Sequence, residues 1–454
     1  MIELGAERIV AACDARVVHE GSRRRVESVV VDSREVGAGD LFVGLPGARV
    51  DGGEFAADAL GAGAWGVLVS SQRAERIELD DVEGWVIAAA DPLIALGHLA
   101  REWRRELGCH VVGITGSTGK TSVKDICRTI LPYRVHASRE NYNTEIGLPL
   151  AVLAAPRETE VLVLEMAMRG MGQIAELCAT AEPDVAAITN IGPVHLELLG
   201  TIEAIAEAKA EIFAGLTDAG IAVLPEDAEA LEPHVHDLLR TVSFGPGGDV
   251  FAHGARVEDG STVASIGTPH GDADFRFPFS EAHNLANALA AVAIGVALDA
   301  PPAEMAERAP EIVFSRLRGE VLEAGGVRIV NDCYNANPIS MRAALDHLAT
   351  VEAPGRRIAV LGEMRELGPD SPAYHREVGA HARDLGIGPL LGVGDLARDY
   401  APDDWAPDAE AAVGALQPLV HNGDVVLVKG SRSVGLELVS DELVARLDNA
   451  ERER

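Results

Sequence analysis

Residues 111–125, "VVGITGSTGKTSVKD", constrain the fold more than any other stretch of the chain. A short apolar run, typical of a buried strand, leads into glycines and small hydroxyl residues, and Lys120 and Thr121 then open a helical pattern. Glycines allow backbone N–H groups to turn towards an anion, and a helix N-terminus carries about half a positive charge. The stretch predicts a strand, a phosphate-binding loop and a helix, with a purely structural Gly-rich turn as the alternative.

The loop departs from the common nucleotide-binding pattern GxxxxGK[ST], because Ile114 occupies the position of its first glycine. It matches the shorter pattern TGxxGKT instead. In such a loop we expect the lysine to reach the β- and γ-phosphates of a nucleotide and the threonine hydroxyl to bind Mg²⁺. The predicted phosphate-binding residues are Thr115, Gly116, Ser117, Thr118, Gly119, Lys120, Thr121 and Ser122.

Composition excludes several classes of protein. The 454 residues suit two to four domains, and no apolar run approaches the roughly 18 residues of a membrane span. The N-terminus lacks the basic-then-apolar order of a secretory signal, so we expect a cytoplasmic protein. A net charge of −32 argues against nonspecific nucleic-acid binding, which needs a basic surface. The five cysteines are scattered without a CxxC pair, which argues against a zinc site or a disulfide framework.

Lysine is rare in this chain. Of the 39 basic residues, only four are lysines: Lys120, Lys124, Lys209 and Lys429. Because arginine supplies positive charge elsewhere, each lysine is a candidate for a position that needs a compact ammonium or a nucleophilic amine. For any single lysine, chance retention is the alternative.

Three zones follow one another along the chain. Residues 1–91 are mixed and strand-rich, with a short helix predicted over residues 51–61. Residues 92–316 alternate apolar strands with helices, which predicts a parallel sheet with ligands at the carboxyl ends of its strands, and residues 244–279 form a small β excursion. Residues 317–454 repeat the α/β rhythm. We therefore predict an α/β protein of three domains, namely an α/β N-terminal domain, a central P-loop domain with a parallel sheet, and a Rossmann-like C-terminal domain.

Seven motifs carry a resemblance to a known family. In chain order they are TGxxGKT, "EMAMRGMGQI", "TNIGPVHLELLGTIEAIAEAKAEIF", "HNLANALAA", "RGEV", "NDCYNANPISM" and "VLVKGSR". Together they closely resemble the Mur ligases of peptidoglycan synthesis, over essentially the whole chain. Within that family the chain is most similar to the members that join D-alanyl-D-alanine to a UDP-N-acetylmuramoyl-tripeptide. "DCYNANP" discriminates best, since the DYAH and DNPR motifs of the ligase that adds the third residue of the stem peptide are missing from the sequence.

The resemblance implies an ATP-dependent acid–D-amino-acid ligase. A carboxylate attacks the γ-phosphate of ATP to give an acyl phosphate and ADP, and an incoming amine then displaces phosphate. The family also implies two Mg²⁺ ions, a UDP-substrate pocket in the N-terminal domain, dipeptide binding by the C-terminal domain, and a monomer. From the zones, and from motifs that lie on both sides of the second boundary, we predict hinges near residues 90 and 317, with ATP between the second and third domains.

Five residues are implied as the catalytic and metal-binding group. By resemblance, Lys120 contacts phosphate, Glu165 shares a Mg²⁺ ion with Thr121, and His195 binds a second metal ion. Lys209 stands fourteen residues after His195, as in the family, where this lysine can carry a carbamate that ligates metal. The alternatives are a helix cap for Glu165, a structural role for His195 and a helix-surface position for Lys209.

The resemblance also implies residues that bind the rest of ATP. They are Asn284 and Asn287 beside the base, Arg318 on phosphate, Asp332 on ribose, and Tyr334 and Asn335 near the base. Helix capping is the alternative for Asn284, and Arg316 competes with Arg318.

The remaining implied residues bind the two other substrates. Three residues match the uridine pocket of the family: Ser33, Arg34 and Gly47. Three others match the segment that contacts the muramoyl part: Asn141, Asn143 and Thr144. The carboxylate of the dipeptide is assigned to Lys429 and Arg432. The family commonly has Asn at the position of Thr144, which puts the role of that residue in doubt. A structural role is the alternative for Lys429 and Arg432.

Three other functions remain open on the sequence. A sibling Mur ligase that adds a different amino acid is the nearest one. A folate-modifying relative would need a pterin pocket. The match of residues 1–91 to the UDP-substrate domain argues against this alternative. A regulatory GTPase or a motor ATPase would share the P-loop, but the guanine-reading motif NKxD does not occur in the sequence.

Overall fold

The computed structural model describes residues 4–22, 25–78, 83–139, 141–235 and 239–452. In this part of the chain, none of the helices is both long and apolar enough to span a bilayer. Three consecutive parts of the chain each build an α/β unit around a sheet of their own, and a small three-stranded sheet is added to the central unit. The predicted α/β class is confirmed, while the boundaries at residues 91/92 and 316/317 stay predictions.

The first part is a five-stranded sheet with short helices. Its elements are α1 (Ala6–Ala12), β1 (Arg16–His19), β2 (Ser28–Val30), β3 (Asp40–Val43), α2 (Ala56–Gly61), β4 (Gly66–Ser70), α3 (Ser71–Ala74) and β5 (Trp85–Ala89). The strand order is β1-β5-β4-β3-β2, and only the β1–β5 pair is antiparallel. The predicted helix over residues 51–61 is divided, because the Asp51 side chain accepts the N–H of Gly53 at 2.9 Å and starts a 3₁₀ turn (Gly52–Phe55) before α2.

A long helix, α4 (Pro92–Leu107), joins the first part to the second. Asp91 caps it by accepting the N–H of Leu93 at 2.8 Å, and a proline in the first turn suits its N-terminus. Trp103 is fully buried, and its indole N–H donates to the carbonyl of Ala155 at 3.1 Å. One hydrophobic cluster continues from the first sheet through α4 into the central unit, so the apolar face of α4 fastens these two parts together.

The central unit holds the P-loop. Its elements are β6 (His110–Thr115), α5 (Lys120–Ile130), β7 (Val135–Ala137), α6 (Gly147–Leu153), β8 (Val161–Glu165), α7 (Gln173–Ala181), β9 (Val185–Ile188), α8 (Leu196–Leu199), α9 (Ile202–Ala214), β10 (Ile221–Pro225), β11 (Arg240–Phe244), β12 (Phe251–Glu258), β13 (Ser261–Gly267), β14 (Ala273–Phe277), α10 (Ala282–Ala297) and α11 (Pro302–Arg308). The main sheet is parallel throughout, in the order β11-β10-β9-β6-β8-β7. Strands β12 to β14 form an antiparallel sheet, which is the predicted β excursion.

Both faces of the central sheet are buried, which explains its nearly continuous apolar strands. Along β8, Val161 and Val163 belong to the cluster that contains α5 and α10, whereas Leu162 and Leu164 belong to the cluster that contains α4, α7 and α9. Side chains alternate between the two faces of a strand, so a strand covered by helices on both sides must be apolar at every position. This packing holds β6 at the centre of the sheet, with the P-loop at its carboxyl end.

The C-terminal unit is a second, mostly parallel sheet between helices. Its elements are β15 (Glu320–Ala324), β16 (Val327–Asn331), α12 (Pro338–Thr350), β17 (Arg357–Gly362), α13 (Ser371–Asp384), β18 (Leu390–Val393), β19 (Asp404–Ala406), α14 (Ala409–Leu416), β20 (Val425–Lys429) and α15 (Glu437–Arg452). The strand order is β15-β16-β20-β17-β18-β19, with only the β15–β16 pair antiparallel.

The carboxyl ends of the central and C-terminal sheets open onto the same cleft. Ser117 and Asn190, which follow β6 and β9, line one side of the cleft, and Asp332 and Ser431, which follow β16 and β20, line the other. Ligands of parallel α/β sheets bind at this end of the strands. The fold therefore brings two such ends face to face.

His375 in α13 is a buried histidine whose hydrogen bonds require the neutral ring. Its Nε2 accepts the N–H of Met364 at 3.0 Å, and its Nδ1 donates to the carbonyl of Ser371 at 2.7 Å. Burial lowers the pKa of His375 below its ordinary value of 6.5.

We predict that His375 makes the stability of the C-terminal unit depend on pH. Below pH 6.5 the unfolded chain protonates this histidine while the folded chain keeps it neutral, so the free energy of unfolding falls by up to about 1.4 kcal/mol per pH unit; above pH 6.5 this contribution is constant. His375→Gln, which keeps one donor and one acceptor, should reduce the pH dependence of the urea midpoint between about pH 7.5 and pH 5.5. Equal pH dependence in wild type and His375→Gln would contradict the prediction.

Candidate active site

The cleft between the central and C-terminal units has a volume of about 1310 Å³. It collects most of the residues that the sequence predicted for ATP, metal and the muramoyl part of the substrate. The predicted residues that line it are Ser117, Thr118, Gly119, Lys120, Thr121, Ser122, Asn141, Asn143, Thr144, Glu165, His195, Asn284, Asn287, Arg318, Asp332, Tyr334, Asn335, Lys429 and Arg432. Three of the residues predicted for ATP and metal do not line the cleft: Thr115 and Gly116 at the start of the P-loop, and Lys209. Thr115 and Lys209 are buried, and Lys209 contacts the carbonyl of Gly116.

Two glycines of the P-loop are required by its conformation. Gly116 has a φ of 148°, and a Cβ there would lie 1.9 Å from the Thr189 hydroxyl oxygen. Gly119 has a φ of 79°, and a Cβ there would lie 2.3 Å from Oδ1 of Asn287. The Asn190 side chain also accepts the N–H of Thr118 at 2.9 Å. The loop is therefore supported by Asn190, which follows β9, and packs closely against Thr189 and against Asn287 of α10.

Two lysine ammonium groups converge beneath the loop. Nζ of Lys120 donates to the carbonyl of Gly116 at 2.8 Å, and Nζ of Lys209 donates to the same carbonyl at 3.1 Å. Burial lowers the pKa of Lys120, and burial together with the neighbouring charge of Lys120 lowers the pKa of Lys209 well below its ordinary value. Lys209 is only 2% exposed, so the interpretation of a helix-surface lysine is wrong. Burial of this kind favours the neutral, nucleophilic form of a lysine amine over the charged form.

Glu165 forms an oxygen-rich group with Thr121 and Asn143. It is almost fully buried at the end of β8, where Oε2 accepts the Thr121 hydroxyl at 2.9 Å and Oε1 accepts the Asn143 amide at 2.8 Å. Helix α7 has Gly172 at its N-cap, so Glu165 does not cap it. A buried carboxylate beside a hydroxyl and a phosphate loop offers the hard oxygen ligands that Mg²⁺ takes together with phosphate and water. Thr121 and Glu165 therefore fit a Mg²⁺ ion.

His195 follows β9 and precedes α8. Its Nδ1 is hydrogen-bonded to the carboxylate of Glu366, from the loop after β17, and this bond lowers the pKa of Glu366. Among the described residues, no three His, Cys, Asp or Glu side chains are grouped closely enough to hold a metal ion by themselves. A metal ion at His195 would therefore need ligands of another kind, such as phosphate, water or a modified lysine.

Two buried asparagines lie in the first two turns of α10. Asn287 donates from Nδ2 to Oδ1 of Asn284 at 3.1 Å, and both residues line the cleft. The N-cap of α10 is Glu281, without a side-chain capping bond, so Asn284 does not cap the helix. Asn284 instead donates from Nδ2 to the carboxylate of Glu281 at 3.5 Å, so the two amide groups are bonded to side chains at the cleft and not to the backbone of the helix end.

Arg318 connects the P-loop helix to the C-terminal unit. Its Nη2 donates to the Thr121 hydroxyl at 2.9 Å, its guanidinium lies 3.9 Å from the centre of the Tyr334 ring, and its buried Nε lacks a hydrogen-bond partner. Arg316 instead is largely exposed and pairs with Glu320 at 3.6 Å. The geometry therefore favours Arg318 over Arg316 as the arginine that faces phosphate.

The segment that leads into the C-terminal unit lies along α5. Oδ2 of the buried Asp125 accepts the N–H of Ser315 at 2.8 Å, one turn of α5 beyond the bond between Thr121 and Arg318. The helix that begins with the phosphate loop thus directly holds the connection between the two units.

Lys429 and Arg432 have different surroundings. Lys429 is buried, and its Nζ donates to Asp332 at 2.6 Å and to the carbonyl of Asn335 at 3.1 Å. Arg432 is exposed and pairs with Glu437 at 2.7 Å. Lys429 therefore holds the Asp332 carboxylate in place, whereas Arg432 faces solvent at the edge of the cleft.

The predicted uridine residues lie away from this cleft. Ser33 and Arg34 line a smaller cavity of about 460 Å³ in the first sheet, where Arg34 pairs with Asp32 and lowers the pKa of that carboxyl to about 2. Gly47 lies in a tight turn, since its N–H donates to the carbonyl of Val50 at 3.1 Å and a Cβ would lie 2.8 Å from that oxygen.

Sequence reasoning missed three residues of the site. Asn190 supports the P-loop, Asp125 holds the connection to the C-terminal unit, and Glu366 contacts His195. Asn190 and residues 362–368, "GEMRELG", which include Glu366, both lie where a predicted strand ends. This position was a usable signal, because strand ends face the cleft. The contact between residues 195 and 366, which are 171 positions apart, left no signal in the sequence.

Comparison with known proteins gives matches along the whole chain. Three family models match: "Mur ligase family, catalytic domain" over residues 25–104, "Mur ligase middle domain" over residues 114–295, and "Mur ligase, glutamate ligase domain" over residues 317–432. The UDP-N-acetylmuramoyl-tripeptide–D-alanyl-D-alanine ligase of Bacillus subtilis is 35% identical over 433 residues, which cover 92% of this chain and 93% of that protein.

Solved structures agree with the sequence matches. A crystal structure of MurF from Acinetobacter baumannii has a TM-score of 0.89 at 27% identity and covers 98% of this chain and 99% of its own. The MurF ligase from Thermotoga maritima in complex with ADP has a TM-score of 0.83 at 32% identity and covers 94% and 99%. The resemblance that the motifs suggested is therefore confirmed, and the chain belongs to the Mur ligase family.

Proposed function

We propose that this protein uses ATP to join D-alanyl-D-alanine to a UDP-N-acetylmuramoyl-tripeptide, a step in the synthesis of peptidoglycan precursors. Likeness along almost the whole chain to relatives named for this activity is the observation that carries the proposal. The cleft supports the chemistry, because it combines a phosphate loop, a buried carboxylate and two desolvated lysines. The Thermotoga maritima neighbour in complex with ADP supports the use of ATP.

The central unit binds the triphosphate of ATP. Backbone amides of the loop and the N-terminus of α5 attract the phosphates, and the ammonium of Lys120 is placed to follow the β- and γ-phosphates. Arg318 adds a second positive charge from the start of the C-terminal unit. A Mg²⁺ ion held by Thr121 and Glu165 would neutralise phosphate charge as the tripeptide carboxylate approaches.

Lys209 is proposed to carry a carbamate. The ammonium first loses a proton, and the neutral amine then attacks the carbon of CO₂ and releases a second proton to solvent as the N–C bond forms. The product is a carbamate anion, which pairs with Lys120 or serves as a metal ligand beside His195. The low pKa of the Lys209 amine supports this step, since only the neutral amine reacts. A second Mg²⁺ ion would use that anion together with His195.

The three units divide the binding of the substrates. We assign UDP to residues 1–91 through Ser33, Arg34 and Gly47, and ATP to residues 92–316. The dipeptide is assigned to residues 317–454, with its carboxylate at the edge of the cleft near Arg432. Asn284, Asn287, Tyr334 and Asn335 surround the base, and Lys429 orients Asp332 towards the ribose. We also propose that the protein is a monomer and that it works in the cytoplasm.

The first test is the dependence of phosphate release on the acceptor amine. Purified protein with ATP, Mg²⁺ and UDP-tripeptide should release phosphate at least about tenfold faster with D-alanyl-D-alanine than with D-alanine, L-alanyl-L-alanine or D-glutamate, because an acceptor that lacks a recognised group leaves buried polar partners unpaired. Faster release with a single amino acid would favour a sibling ligase. Equal release without any acceptor would indicate a nucleotide hydrolase and contradict the proposal.

We predict that Lys120→Arg lowers kcat for ligation by about 10²-fold or more, because the wider guanidinium does not fit where the ammonium lies between Gly116 and the phosphates. The dissociation constant for the UDP-substrate, measured by calorimetry without ATP, should change less than about twofold, since the predicted uridine pocket lies in another unit. Retained turnover at saturating ATP would show that the P-loop assignment is wrong.

A third prediction concerns the chemical form of Lys209. If the amine carries a carbamate, Lys209→Ala and Lys209→Arg should both lose about 10²-fold or more in kcat, because neither supplies an anion. Excess acetate should then restore part of the activity of Lys209→Ala and little of Lys209→Arg, whose side chain fills the space. If Lys209 acts as an unmodified cation, Lys209→Arg should be the more active variant and acetate should restore neither.

A further inference from the structure

The turn that holds His195 is hydrogen-bonded to the C-terminal unit through Glu366. The Glu366 carboxylate binds Nδ1 of His195, and its backbone carbonyl accepts the N–H of Glu197 at 3.3 Å. Glu366 follows β17 and so belongs to the C-terminal unit. Its side chain and its backbone carbonyl are therefore both hydrogen-bonded to the same turn of the central unit.

Both residues of the pair have an unusual backbone conformation. His195 has a φ of 54° and Glu366 a φ of 65°, in the left-handed region that few non-glycine residues occupy. Strained conformations persist where surrounding contacts impose them, and they concentrate at functional sites. The strain on both sides of the same contact indicates that the two turns are shaped for each other.

Two glycines allow the turns to approach. A Cβ at Gly192 would lie 2.0 Å from Cδ1 of Ile339 in α12, and a Cβ at Gly368 would lie 3.3 Å from the Cα of Glu197. A side chain at Gly192 would displace the end of Ile339, and one at Gly368 would press on the backbone of Glu197. The close approach thus depends on the sequence of both segments.

The hydrogen bond also decides which nitrogen of His195 is free. A carboxylate only accepts hydrogen bonds, so Nδ1 of His195 donates the proton of this bond, and Nε2 is the ring nitrogen left for another ligand. A histidine that binds metal through one nitrogen commonly donates its other N–H to a carboxylate, which fixes the ring orientation and makes the ligand more basic.

We propose that Glu366 is a positioning residue that orients His195 towards a metal ion in the cleft, so that this site is complete only when the C-terminal unit is docked on the central unit. The inference rests on the proposed metal role of His195. Metal binding and domain docking then strengthen each other. If docking of the C-terminal unit raises the affinity of the site for metal by some factor, bound metal must favour docking by the same factor.

The test measures Mn²⁺ binding by electron paramagnetic resonance in the presence of a non-hydrolysable ATP analogue and the UDP-tripeptide. His195→Ala should weaken the binding of Mn²⁺ at one site. Glu366→Ala should lower the Mn²⁺ affinity of the same site by about tenfold, which is the lower end of the range for residues that hydrogen-bond a metal ligand. Glu366→Gln keeps an oxygen that accepts the N–H of His195, and should recover part of the loss.

A double-mutant cycle separates positioning from simple docking. In a His195→Ala background, Glu366→Ala should have no further effect on Mn²⁺ affinity, since its route to the metal has been removed. The control Ile339→Ala loosens the same domain contact without touching His195. Its effect on Mn²⁺ affinity should be smaller than that of Glu366→Ala. Small-angle scattering should show that Mn²⁺ compacts the wild type more than Glu366→Ala.

Three results would overturn the inference. An equal loss from Glu366→Ala with and without His195 would mean that Glu366 acts through docking alone. Unchanged Mn²⁺ affinity with a raised KM for D-alanyl-D-alanine would mean that Glu366 contacts the acceptor instead. If His195→Ala itself leaves Mn²⁺ binding unchanged, the proposed metal role of His195 is wrong, and the inference fails with it, while the ligase activity tested by acceptor dependence still stands.

Discussion

The carbonyl of Gly116 accepts hydrogen bonds from both Lys120 and Lys209, and the rest of the site depends on this convergence. Two ammonium groups in a desolvated space repel each other, so the arrangement is favourable only if an anion enters or one amine loses its charge. Both outcomes serve a ligase that must bring the phosphates of ATP and a carboxylate together. The buried Glu165 provides the opposite charge across the loop and fits a metal ion shared with Thr121.

The cleft exists only because two units meet. The central unit supplies the loop and the lysines, and the C-terminal unit supplies Asp332, Lys429 and Glu366. The connection between the units lies on α5 itself, through the bond from Ser315 to Asp125. The predicted phosphate site and the connection to the C-terminal unit therefore share one helix, with the site at its N-terminus and the connection one turn further along.

Much of the fold and of the site was predictable from sequence, for local physical reasons. Continuous apolar strands alternating with helical patterns predicted the parallel sheets, and the glycines and lysine of the loop predicted a phosphate site. The motif order identified the family correctly. Alternatives that the sequence left open were decided by burial: Lys209 is not on a helix surface, and Arg318 rather than Arg316 reaches Thr121. Roles in binding ATP, metal and substrate stay predictions.

The sequence by itself determined the class of fold and the family, and it predicted the phosphate loop. Strand and helix periodicity and the conformational freedom of glycine are local properties of the chain, and the rarity of lysine is a property of its composition, so none of them requires the fold to be known. Only the tertiary structure decided which distant residues meet. The bond from His195 to Glu366, the support of Thr118 by Asn190 and the pairing of Lys429 with Asp332 join segments far apart in the chain. Such contacts depend on how whole units dock, and docking is set by the packing of entire faces rather than by any short pattern of residues.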